Sequence, residues 1–200
     1  MVAKEKTQLV LVSQSPRRKE LIKRLDLPFQ TISPDHLHEN SQESVPQLHT
    51  LEVAQWKMDS VLNQNAPAPG QIWISADTIV VYQDHLLGKP KDKEDAFRML
   101  AVLCGKWHFV YTGVVMNAYG FDSNEQVIQF CEETRVKFRN VPASMIRRIL
   151  DKEEALDKAG AYAIQGYGGL LVERIVGDYY NVMGFPLGRI WETLLSLGAY

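Results

Sequence analysis

The sequence predicts an α/β protein: a mixed, twisted sheet flanked by helices. Three observations carry this expectation. Apolar, valine-rich runs of strand length alternate with stretches whose apolar residues recur at helical spacing. Two long strand-like runs, Trp107–Ala118 and Gln126–Phe138, meet across a turn around residues 120–124, so the middle of the chain is a hairpin and the sheet cannot be purely parallel. The chain has 200 residues, enough for one domain, with two lobes at most, and for a sizeable core.

Each element follows from local signals. Residues 8–13 (QLVLVS) are a continuous apolar run and read as a buried strand. Ser15 and Pro16 then supply an N-cap and a first-turn proline. With Leu21, Ile22 and Leu25 as an apolar face, a helix is predicted over 16–26. Residues 29–33 read as a short strand, and 34–47 as polar and irregular. Over 45–63, Leu48, Leu51, Val53, Ala54, Met58, Val61 and Leu62 recur at roughly helical spacing. Residues 65–70 (NAPAPG) form a stiff linker. Residues 72–82 (IWISADTIVVY) read as a strand interrupted at Asp77-Thr78, and Asp84-His85 as a tight turn into Leu86 and Leu87. Asp92 starts a helix over 92–104 that Gly105 stops. Beyond the hairpin come a helix at 142–151, a glycine-punctuated segment at 157–169, a strand at 170–176 and a helix at 186–197.

Composition narrows the function classes. Apolar residues make up 46% and charged residues 23%, close to an average globular protein. The net charge of −2 gives no global basic field, so neither nucleic acid nor an anionic membrane is an expected partner. No stretch approaches the roughly 20 apolar residues of a membrane span, and the polar first eight residues precede an apolar run too short for a signal peptide. A cytoplasmic location is expected. Cys104 and Cys131 form neither a CxxC pair nor a ligand set and read as free thiols.

Four constellations carry chemistry. Ser13-Gln14-Ser15-Pro16-Arg17-Arg18 lies between a buried strand and a helix start, where unpaired N–H groups, hydroxyls and guanidiniums would hold an anion. Cations in a first helical turn oppose the helix dipole, so an anionic partner would account for them; a capped helix with solvated arginines is the alternative. Asp77, inside the apolar strand ISADT, is costly unless paired or metal-bound, and suits a general base or a Mg²⁺ ligand. The alternative is an Asp in a bulge held by backbone N–H groups. Gly88-Lys89-Pro90 places a lysine on a fixed chain and could equally be a simple turn. Residues 157–166 (DKAGAYAIQG) suit a backbone close to a ligand, with Gln165 as an amide reader, or an ordinary glycine-rich turn. His108 reads as a structural histidine. His36, His38 and His49 match no ligand spacing and read as loop residues. Tyr179 and Tyr180 read as core or dimer-contact aromatics. A cationic helix start, an acidic strand, a nearby lysine and a small-residue loop together fit cleavage of a polyphosphate, with cations neutralising the phosphates and a carboxylate activating water.

SQSPRRKEL, ISADT, GKP, GKWHFVYTGV, DKAGAYAIQG and IVGDYYNVMGFP follow one another in the order and approximate spacing of the Maf family of nucleotide pyrophosphatases, also called septum-formation-inhibitor-like. The resemblance spans nearly the whole chain. It implies a deep-clefted α/β fold related to inosine triphosphate pyrophosphatases, often homodimeric, that converts nucleoside triphosphates to monophosphate and pyrophosphate with a divalent metal such as Mg, Mn or Co. Asp77 resembles the family's proton acceptor and a metal ligand. Ser15, Arg17, Arg18, Lys57 and Lys89 resemble its phosphate-handling residues, Ser13 joins them as a substrate-binding candidate from the anion-site reading above, and Glu39 resembles its acidic support for metal or water. The chain departs from the pattern at Ser75, where the family usually has Gly and a change should be tolerated, and at His38, where it usually has an acid. Ala76-Asp77-Thr78 and Ile164-Gln165-Gly166 match the branch acting on dTTP and UTP rather than the SDQ and EG branch linked to methylated GTP. Arg17, Thr78 and Gln165 are its implied specificity residues.

The leading expectation is therefore a dTTP/UTP pyrophosphatase. A nucleotide-binding regulator of cell division with incidental catalysis is the alternative; it would have little need for a base aimed at phosphorus. A small-phosphoester phosphatase is a third, and would release phosphate rather than pyrophosphate.

Overall fold

The computed structural model describes residues 7–35, 41–121 and 125–200. Glu39, His36, His38 and part of the anticipated turn at 120–124 lie outside these residues. The expected mixed sheet is present, with strand order β2-β1-β3-β5-β6-β7 and β4 paired with β3. Strand β1 (Gln8–Val12) lies parallel to β2 (Phe29–Ile32) on one side and to β3 (Gln71–Tyr82) on the other. The short β4 (His85–Leu87) is antiparallel to β3. Strands β5 (Trp107–Ala118) and β6 (Gln126–Phe138) follow, and β7 (Val172–Val176) is antiparallel to β6.

Local chemistry explains the helices. α1 (Pro16–Ile22) starts with Ser15 as its cap and Pro16 in its first turn. It is shorter than predicted: a 3₁₀ turn takes residues 23–25, and Asp26 closes it in the left-handed region at φ 52°. α2 (Pro46–Leu62) buries Thr50, Val53, Ala54, Met58 and Val61. α3 (Lys93–Leu103) is capped by Asp92, whose carboxylate accepts from the Asp95 N–H. α4 (Ala143–Leu150), a four-residue α5 (Tyr179–Val182) and α6 (Leu187–Ser196) complete the set. The β3–β4 connection is a two-residue turn. Gln83 and Asp84 both take positive φ, 49° and 61°, the geometry that matches strand twist in a tight hairpin.

Two expectations about the strands are also corrected. β3 is not interrupted at Asp77-Thr78: backbone pairing continues through both residues to Tyr82, because a polar side chain that finds a partner does not disturb a ladder made by main-chain groups. The last strand begins at Val172 rather than 170, since residues 167–171 coil into a 3₁₀ turn.

By packing, the chain divides into two compact units. One comprises Met1–Asp77, Thr112–Cys131 and Gly184–Tyr200, the other Thr78–Tyr111 and Glu132–Met183. The first has a core of Val10, Val12, Ala54, Met58, Val61, Trp73 and Val115. In it α2 lies directly on β5: a Cβ built on Gly113 would come within 2.5 Å of the Thr50 carbonyl carbon and 2.6 Å of the Leu51 nitrogen. The second unit is built around residues of α3 and α4 packed with Val80, Val110, Phe138, Tyr162 and Leu171. Among the described residues, no helix is long and apolar enough to cross a membrane.

Candidate active site

In the first unit the residues of interest gather at the end of β1 and on the facing side of α2. β1 and β3 are parallel and Val12 pairs with Ser75, so the chain leaves β1 at Ser13 beside the stretch of β3 that carries Asp77. Adjacent strands lie roughly 4.8 Å apart. Ser13 is buried, and its hydroxyl accepts from the Ser15 N–H at 3.1 Å. The Ser15 hydroxyl accepts from the Arg18 N–H at 3.5 Å. The two hydroxyls therefore shape the turn into α1 and present its first residues. Arg17 is half-buried in that turn. Arg18 is committed in part to structure, since its Nε donates to the Gly184 carbonyl at 2.8 Å.

The Lys57 ammonium donates to Asp77 Oδ1 at 2.6 Å, bridging α2 and β3. The two side chains are 13% and 17% exposed, so the carboxylate is oriented by its partner and still reachable from solvent. One turn earlier on α2 and two residues earlier on β3, the buried Ser75 hydroxyl donates to the Ala54 carbonyl at 2.7 Å. Neither the serine nor the close approach at Gly113 stood out as functional in the sequence. A hydroxyl in an apolar strand, at a place where the family pattern has Gly, was the signal available for the first, and the second needs the partner helix to be known.

In the second unit, Thr78 follows Asp77 on β3 and is half-buried. Lys89 is exposed on the loop after β4, and that loop is tied to the DKAGAYAIQG segment by the Gly160 N–H donating to the Gly88 carbonyl at 3.1 Å. Gly160 has φ +67° and a Cβ there would meet Val80 at 3.0 Å, so the glycine lets the segment lie on β3. Gln165 is exposed. The loop just after it is braced from behind. Glu153 accepts from the Gly168 N–H at 3.0 Å, and Lys158 pairs with Asp157 at 2.6 Å and faces Glu153 at 3.9 Å. The Glu153 and Lys158 side chains are only 8% and 9% exposed. Glu153 has no motif to announce it.

His108 is fully buried, with Nε2 2.8 Å from the Tyr162 hydroxyl. Burial pushes its pKa down to about 3 and pushes the Tyr162 phenol up. It is the structural histidine the sequence suggested. His49 is not a loop residue; it sits in α2, near the Glu43 carbonyl at 3.4 Å. Tyr179 is exposed on α5 rather than in the core.

Among the described residues, no three His, Cys, Asp or Glu side chains stand together as a ligand cluster. Asp77 offers a hard carboxylate oxygen. That donor set fits an ion such as Mg²⁺, which keeps waters and takes substrate phosphate oxygens alongside one or two carboxylates, and not an all-protein cage.

Comparison with known proteins gives the family. A family model described as Maf-like protein matches residues 8–197. The dTTP/UTP pyrophosphatase of Thermosipho melanesiensis is 42% identical over 186 residues, covering 93% of this chain and 96% of its own. The protein of the same name from Thermotoga maritima is 39% identical over 194 residues, covering 96% and 90%. Among solved structures, a HAM1 protein from Coxiella burnetii superposes with a TM-score of 0.50 at 11% identity, covering 95% of this chain and 99% of that one; this likeness is one of fold.

Proposed function

This chain belongs to the Maf-like protein family, and on that premise we propose that it is a nucleoside triphosphate pyrophosphatase acting on dTTP and UTP. The observation that carries the reading is the Lys57–Asp77 pair at 2.6 Å, partly exposed, beside the hydroxyl- and arginine-bearing turn after β1. Relatives of about 40% identity across nearly their full length bear the name dTTP/UTP pyrophosphatase.

In this reading Asp77 accepts a proton from the attacking water, whose oxygen bonds to phosphorus as the α–β anhydride bond breaks and pyrophosphate leaves. Lys57 fixes the orientation of the Asp77 carboxylate. Ser13 and Ser15 shape the turn that presents Arg17 and Arg18 to phosphate oxygens, which a guanidinium can hold in bidentate contact. As the family resemblance implies, Lys89 handles phosphate and Thr78 and Gln165 are the specificity residues. A divalent ion held by Asp77, and by Glu39 as the resemblance implies, would neutralise phosphate charge. Assembly as a homodimer belongs to the same proposal and is tested by light scattering.

The deciding experiment is a panel of canonical and modified nucleoside triphosphates with Mg²⁺, Mn²⁺, Co²⁺ or excess EDTA, scored for pyrophosphate against phosphate. Pyrophosphate from UTP and dTTP, abolished by EDTA, is expected. Release of phosphate, or a purine preference, overturns the assignment; full activity in EDTA removes the metal from it.

A further inference from the structure

Ser75 stands where the family resemblance leads one to expect glycine, yet its hydroxyl is fully buried and donates to the Ala54 carbonyl at 2.7 Å. Residues two apart on a strand share a face, and residues three apart on a helix lie one above the other. Ser75 and Asp77 are two apart on β3; Ala54 and Lys57 are three apart on α2. The Ser75–Ala54 bond and the Lys57–Asp77 bond are thus consecutive rungs between the same strand and the same helix. The lower rung joins a short, rotamer-poor hydroxyl to main chain, so it fixes the height and rotation of α2 over β3. The upper rung joins a four-carbon lysine stem to a carboxylate, and a stem of that kind wanders unless its root is held.

We propose that Ser75 is a positioning residue: its bond to the Ala54 carbonyl sets the register of α2 on β3 and thereby seats the Lys57 ammonium on the Asp77 carboxylate. The proposal rests on the reading of Asp77 as the base. It assigns Ser75 no contact with substrate, so its loss affects turnover more than binding.

The test is Ser75→Ala. The Ala54 carbonyl stays within its helix, so the variant remains folded. Steady-state kinetics on UTP is measured together with the solvent-exchange rate of the Lys57 ammonium protons by ¹⁵N NMR, the signal being assigned by its absence in Lys57→Met. A hydrogen bond of ordinary net strength sets the scale: kcat is expected to fall by about three- to tenfold with KM changed by less than about twofold, and the Lys57 ammonium protons to exchange faster by a similar factor. An unchanged kcat overturns the proposal. So does an unchanged Lys57 exchange rate, whatever the kinetics. A loss of activity that only tracks the fraction of folded protein overturns it as well. The underlying reading fails separately: near-wild-type turnover in Asp77→Asn would remove the base itself, an outcome that does not depend on Ser75.

Discussion

Gly113→Ala should uncouple fold from activity in a measurable ratio. The added methyl would lie 2.5 Å from the Thr50 carbonyl carbon and 2.6 Å from the Leu51 nitrogen. Ordinary contact needs about 3.4 Å or more, and neither partner is a side chain that can swing aside, so α2 must move off β5 by about 0.9 Å. Overpacking of this kind costs roughly 1–3 kcal/mol. For a chain of this size each kcal/mol lowers Tm by about 2–4 °C, so a drop between about 2 and 12 °C is expected. Thr50 and Lys57 are two helical turns apart on the same side of α2, so much of the displacement reaches the ammonium that sits 2.6 Å from Asp77. A misplacement near 1 Å can cost about 10²-fold in rate; a kcat loss of about 10- to 100-fold is expected at a temperature where the variant is fully folded. Pyrophosphate release and differential scanning fluorimetry on the same preparation read both quantities. Wild-type Tm and kcat in Gly113→Ala would refute the close approach of α2 to β5. A lowered Tm with unchanged kcat would refute the mechanical link from that contact to the Lys57–Asp77 pair.

Asp77→Asn keeps the side chain's shape and removes the proton acceptor, so kcat should fall by at least about 10²-fold with the circular dichroism spectrum unchanged. Arg17→Ala should lower kcat/KM far more than it lowers Tm, and a Tm loss in proportion to the activity loss would assign Arg17 to structure; Arg18→Ala should lower Tm as well, because Arg18 donates to the Gly184 carbonyl. An amide can donate to uracil O4 and accept from N3–H, and once Thr78 or nearby backbone groups pin it against flipping to suit cytosine, UTP and dTTP should both be cleaved, with CTP at least about tenfold worse in kcat/KM. Gln165→Glu should lose most UTP activity and narrow that gap, and an unchanged substrate ranking would exclude Gln165 as the reader. His108 has a folded-state pKa of about 3 against 6.5 unfolded. The unfolded chain therefore binds the extra proton between those values, and stability is full above pH 6.5 and falls as pH drops toward about 3, by about 1.4 kcal/mol per unit from this group. Urea unfolding at pH 7, 6 and 5 should show that slope, and His108→Gln, which keeps an amide beside Tyr162, should flatten it.

Much of the fold was legible because its signals are local. β5 and β6 fall on the predicted bounds, and the caps at Ser15 and Asp92 hold their helices as their spacing suggests. What escaped depends on partners remote in sequence. Nothing near Asp77 announces that a lysine 20 positions earlier will reach it at 2.6 Å, so the apparent conflict of a carboxylate in a strand read as a break. α5 is four residues long and follows Gly177 at φ 125°, too brief for any periodicity. Lys57 had no distinguishing composition of its own and was singled out only through the family resemblance. The braces Glu153 and Ser75 are invisible one residue at a time, since their importance lies in which backbone groups they happen to meet.

The two ends of the strand order bear on how this protein behaves at high concentration. β2 and β7 occupy those ends, and a terminal strand offers main-chain groups to which another chain can add. β2 is only four residues long and lies between Pro28 and Pro34; proline lacks the N–H that a growing ladder would require on either flank. β7 is five residues long and exposes Glu173 and Arg174 in its middle, so an incoming strand would have to desolvate charge to pair with it. Both ends of this strand order are thus short, and poorly furnished with donors or polar, features that disfavour the addition of a strand from another chain there.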